Sequence, residues 1–78
     1  MRVRQSALKH GITREDIIEA AALPLVEVPL DDENPRRFLR LGFDAKTRLL
    51  ETVVLMWDDG TEEVIPAMKA RPQCFELL

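Results

Sequence analysis

Two spacings divide the chain. Between Gln5 and Ala22 the apolar residues recur at helical intervals, whereas from Arg36 onward they alternate at every second position. Gln5 to His10 predicts a short helix closed by Gly11, which is free to take the left-handed conformation that ends helices. Thr13 then suits the N-cap of a second helix, with Glu15 and Asp16 in the first turn where the helix dipole favours negative charge. Ile17, Ile18, Ala21 and Ala22 form its apolar stripe, and Leu23-Pro24 ends it.

Leu25 to Leu30 (LVEVPL) reads as a strand or extended segment, followed by a loop at Asp31-Asp32-Glu33-Asn34-Pro35. Arg36 to Phe43 alternates as a strand whose more apolar side holds Leu39, Leu41 and Phe43. Asp44 to Thr47 is a turn, and Arg48 to Trp57 (RLLETVVLMW), apolar on both faces and rich in β-branched residues, predicts a central strand. Asp58-Asp59-Gly60 is a hairpin signal with Gly60 at a positive φ. The last strand runs from Thr61 to Ala67, where Pro66 lacks a ladder donor and marks an edge or a bulge. Met68 to Leu78 has room for a short helical turn and an extended end. The expected fold is α+β: one domain, residues 1–78, with N-terminal helices packed on an antiparallel sheet of three to four strands.

Composition narrows the function classes. The chain is 46% hydrophobic and 32% charged, a globular mixture. Its apolar runs are far shorter than the roughly 20 residues that cross a bilayer, and the N-terminus carries no secretory pattern, so a cytoplasmic location is expected. A lone Cys74 and a lone His10 give no disulfide and no metal constellation, and no glycine-rich loop offers a cofactor cradle. The net charge of −3 argues against general nucleic-acid affinity, although Arg2, Arg4, Lys9, His10 and Arg14 make the first segment basic.

Four stretches resemble the BrnT-type toxins of bacterial type II toxin–antitoxin systems, which belong to the RelE-like ribonuclease fold. They are KHGITREDIIEA from Lys9, RRFLRLG from Arg36, Arg48-Leu49-Leu50 opening a strand, and VIPAMKAR from Val64, in order over roughly residues 5 to 71. The resemblance is to chains with a longer first strand, of which Met1 to Arg4 is a remnant, with a polar side chain in place of Pro66, and with a C-terminal helix. It implies a metal-independent RNA endonuclease neutralised by an antitoxin protein. The alternative is a non-catalytic interaction or oligomerisation module of the same fold.

Cleavage of RNA without a metal requires a base for the 2′-OH proton, an acid for the leaving oxygen and cations for the phosphorane charge. On that implication His10 transfers protons, and Arg48, Lys69 and Arg71 complete the catalytic set, while Lys9 and Arg40 contact RNA. Each has a plainer reading. His10 and Lys9 suit a helix C-terminus, and the arginines suit ion pairs with Glu51, Glu62 or Glu63. Glu62 and Glu63 read as a solvated strand face, Trp57 and Phe43 as core or interface residues rather than base-stacking platforms. The apolar surface of Leu49 to Trp57 exceeds what a short helical layer covers, so a homo-oligomer or a hetero-complex is expected.

Overall fold

The computed structural model describes all 78 residues. In chain order the elements are β1 (Arg2–Val3), a 3-10 helix (Gln5–Leu8), α1 (Arg14–Ala22), β2 (Val26–Pro29), β3 (Arg36–Phe43), β4 (Leu49–Met56), β5 (Glu62–Lys69) and a closing 3-10 helix (Pro72–Leu77). The strands form one sheet in the order β1-β5-β4-β3-β2. The α+β class expected from the sequence is therefore present, with a sheet of five strands in place of three or four. It is mixed, because β1 runs parallel to β5, pairing Arg2 with Glu63 and Val3 with Val64. No helix is long and apolar enough to cross a membrane.

Local chemistry accounts for the element ends. The Thr13 hydroxyl accepts from the Asp16 N–H at 3.2 Å and starts α1. Gly11 and Gly60 hold φ of +79° and +88°, the left-handed values that glycine alone takes without penalty. The β3–β4 turn includes Thr47 at φ +59°, a conformation that costs a branched residue about 1–2 kcal/mol. Asp44 offsets that cost. Its Oδ1 accepts from the N–H groups of Lys46 and Arg48, both at 2.9 Å, which fixes the turn.

Pro66 marks a bulge. Thr52 pairs with Ala67 and Val54 with Val64, so Ile65 and Pro66 together stand opposite Val53 and the missing proline donor breaks no regular rung. Between Asp58 and Thr61 the chain turns as a hairpin, with Gly60 donating to the Trp57 carbonyl at 2.9 Å.

Register assigns each strand residue to one of two faces, since directly paired residues project to the same side. One face holds Gly42, Leu50, Thr52, Val54, Val64 and Ala67, and packs against Ile17, Ala20 and Ala21 of α1 and Ala7 of the N-terminal 3-10 helix. Ile17, Leu50, Val54 and Val64 are fully buried there, each contributing roughly 1.5–3 kcal/mol on removal from water. Gly42 sets how closely the layers approach. A Cβ at that position would stand 2.2 Å from the Ala20 carbonyl oxygen, so the end of α1 rests directly on the β3 backbone. The other face holds Leu39, Leu41, Phe43, Glu51, Val53, Leu55 and Met68 and has no helix of α1 type over it.

Candidate functional site

Five of the six sequence-selected side chains belong to segments that lead to one end of the sheet. Lys69 is the last residue of β5 and pairs with Leu50, next to Arg48 at the entrance to β4. Arg71 follows immediately, after the Ala70 N–H donates to the Leu49 carbonyl at 2.9 Å. Lys9 and His10 reach the same end by a different route. From β1 the chain runs alongside β5 in the same direction, with the Ser6 hydroxyl donating to the Ile65 carbonyl at 2.8 Å, so the following residues arrive near the β5 terminus.

Arg48 and Arg71 arrive there already paired. Arg48 Nε lies 2.7 Å from Asp44 Oδ2, and its Nη2 lies 3.1 Å from Asp16 Oδ2, which Lys46 Nζ also contacts. Asp16 comes from α1 and Asp44 from the turn, so this four-residue cluster ties the start of the helix to the β3–β4 connection. The Lys46 hydrogen bond holds the Asp16 carboxyl below the usual range, outweighing the opposing effect of burial. At Asp44 burial pushes upward, but the backbone and side-chain donors of Arg48 and the Lys46 N–H prevail and the carboxyl again sits low.

Arg71 grips Glu51 with Nε at 2.8 Å and Nη2 at 3.0 Å, and its own backbone N–H donates to the same carboxylate at 2.9 Å. Glu51 has a side chain only 5% exposed. Burial raises its pKa and the Arg71 donors lower it further than burial raises it, so it stays ionised. Cys74 lies against this pair, and burial together with the Glu51 carboxylate pushes its thiol up, away from the nucleophilic thiolate.

Arg40 stands apart from that end. Its side chain, 8% exposed, is inside the α1-covered face. There Nε contacts Glu27, Nη2 lies 2.9 Å from Glu62 Oε2, and Nη1 donates to the Ala21 carbonyl at 3.0 Å near the C-terminus of α1. One guanidinium thus joins β2, β3, β5 and the negative pole of the helix. Lys9, His10 and Lys69 are exposed and make no ion pair. They border an open surface, since no pocket forms anywhere on the molecule.

Sequence reasoning named Glu51 and Glu62 as arginine partners but overlooked Asp16 and Asp44. Asp16 satisfied a helix-dipole rule and Asp44 a turn rule, and those local roles gave no sign that both carboxylates face Arg48 across the fold. Phe43, grouped with Leu39 and Leu41, is 49% exposed, and Trp57 is half-buried beside the hairpin. The Met1 to Arg4 remnant forms a true strand over Arg2–Val3, and the tail is helical almost to its end instead of extended. Comparison of the chain with protein-family models, with curated proteins and with solved structures returns no match.

Proposed function

We propose that this chain is a toxin component of a type II toxin–antitoxin pair, BrnT- or RelE-like, acting in the cytoplasm on RNA and held inactive by an antitoxin protein. One observation carries the reading: Lys69, free of carboxylate partners, ends β5 beside Arg48 at the entrance to β4, and Lys9 and His10, also unpaired, follow the segment that runs along β5 toward that end. Such a surface offers a strand of RNA two free cations and one imidazole able to exchange a proton near neutral pH, with the Arg48 guanidinium at its rim, while Arg71 turns to Glu51 on the opposite sheet face. His10 serves as the proton-transfer group, Lys69 and Lys9 contact phosphate, and Arg48 reinforces the positive field.

A second reading is favoured by the pairing of the arginines. Arg48 and Arg71 are engaged by the buried carboxylates of Asp16, Asp44 and Glu51, and the buried Arg40 by the more exposed Glu27 and Glu62, so RNA phosphates would have to compete with all five. In that case the chain is a non-catalytic interaction module of the same fold. Induced expression in a bacterial host separates the two. Growth arrest with RNA breakdown, relieved by co-expression of a neighbouring antitoxin gene and by Lys69→Ala or His10→Ala, supports the toxin. A fall in cleavage of about two to three orders of magnitude is expected for Lys69→Ala if it resembles loss of one transition-state donor. Unimpeded growth and intact RNA in the wild type leave the interaction module.

A further inference from the structure

The sheet face turned away from α1 is apolar at its centre and partly open to solvent. Val28, Leu39, Leu41, Val53, Leu55 and Met68 share it by register, and Val28, Leu39, Val53 and Met68 remain half-buried in the single chain. Only the tail crosses it, anchored where Arg71 and Cys74 meet Glu51. The tail in turn presents Phe75, Leu77 and Leu78 to solvent at 54%, 42% and 61% exposure. We propose that this face is a contact between two copies of the chain, related by a twofold axis.

Area and charge both select a second copy. At a rise of about 3.4 Å per residue β3 and β4 are about 27 Å long, and the span from β2 to β5 at about 4.8 Å per strand gives a flat area of about 500 Å², of which the part over Leu41, Glu51 and Leu55 is already covered within the chain. The projecting side chains and the exposed tail bring this close to the roughly 800 Å² per partner of a standard stable interface. Charge decides the occupant. The ionised groups that border the face on the strands have their counter-charges within the chain: Glu51 with Arg71, Glu63 with Arg4 at 3.0 Å, and Arg37 with Asp31 at 2.7 Å, while Arg2 lies near enough to lower the Asp59 carboxyl; Glu76, on the exposed tail, has none. A twofold contact sets a patch against its own image, and a neutral apolar patch is the kind that meets itself without repulsion. The unpaired cations are elsewhere: Arg36 and Lys69 project to the α1-covered side, and Lys9, His10 and Arg14 belong to segments packed on that side. A partner recognised by charge would find nothing unpaired at the centre of this face.

Sedimentation equilibrium of the full chain tests the proposal independently of any RNA activity. The expected mass is twice the 8.9 kDa of one chain. Val53→Glu and Leu39→Glu should each weaken self-association by about thirtyfold or more, the factor for a hot-spot side chain. Their circular dichroism should stay unchanged, and Lys69→Glu on the opposite side should leave the dimer intact. The wild type provides a readout without substitutions: Met68 should oxidise more slowly at concentrations where the dimer forms, whereas exposed Met1 should not. A wild-type chain that stays monomeric at all concentrations overturns the proposal. So does a dimer that survives both glutamate substitutions, or one in which Met68 oxidises at its monomer rate.

Discussion

On the face under α1 the sheet encloses a guanidinium, and on the opposite face it leaves part of its hydrocarbon open to solvent beside the buried Glu51. Arg40 is enclosed under the helix because two carboxylates and the Ala21 carbonyl meet its donors, while Leu39 and Val53 on the other side are only half-buried. Sorting residues by polarity would assign these sides the other way round. What decides burial is whether a neighbour can satisfy the group, and one helix carbonyl with two glutamates is enough for a guanidinium.

The largest expected effect comes from breaking the buried charge. Arg40→Ala empties a buried site and leaves Glu27 and Glu62, 38% and 21% exposed, without their cation, at a cost of about 3 kcal/mol, the lower end of the range for breaking a buried pair. Chemical denaturation should show it, and adding Glu27→Gln and Glu62→Gln to an Arg40→Met background should recover most of the loss. Recovery failing in that triple variant would mean the arginine acts through packing and not through charge.

A smaller effect sharpens the comparison through the helix layer alone. Gly42→Ala forces a Cβ against the Ala20 carbonyl, and displacing α1 should cost about 1–3 kcal/mol. The uncovered face should retain its properties, so any self-association should persist in this variant at temperatures where it remains folded.

The third effect concerns acid. Asp16, Asp44 and Glu51 titrate below their ordinary range in the folded chain, chiefly because Lys46, Arg48 and Arg71 hydrogen-bond the charged forms in opposition to burial. Unfolded, these carboxyls take up protons near pH 4. Between the two ranges the unfolded chain binds more protons, so stability rises with pH through that window. The melting temperature should be level from about pH 7 to 5 and fall as the pH drops through 4 and below. With Glu51→Gln the acid fall should be shallower, and an unchanged acid limb would remove Glu51 from the account.

Much of the fold was legible where a single residue carries the reason. Gly11, Thr13, Gly60 and Pro66 each announced a terminus, a cap, a turn or a bulge, and the doubly apolar run from Leu49 to Met56 lies third among the five strands. β1 was not legible as a parallel strand, because two residues have no period and their partners lie at the far end of the sequence. Gly42 read as one glycine in an alternating run, since only the packed helix shows why a side chain is excluded there. For the candidate site, the identity of the cations was legible and their pairing only partly so. Arg71 with Glu51 and Arg40 with Glu62 were among the sequence alternatives, but Arg48 binds carboxylates whose separation in sequence from one another gives no hint of contact.

The parallel pairing of β1 also bears on the order of folding. β3, β4 and β5 are joined by short turns and can zip together locally, whereas the strand and helix at the N-terminus meet β5 only across a loop of nearly the whole chain, with Ser6 and Ile65 being 59 residues apart. Closing such a loop costs entropy that no single hydrogen bond repays, so the hairpins come first and give the N-terminal segment a surface on which to dock. Lys9 and His10, which follow the docking segment, are therefore set in place late, after β5 and its terminal Lys69 already stand.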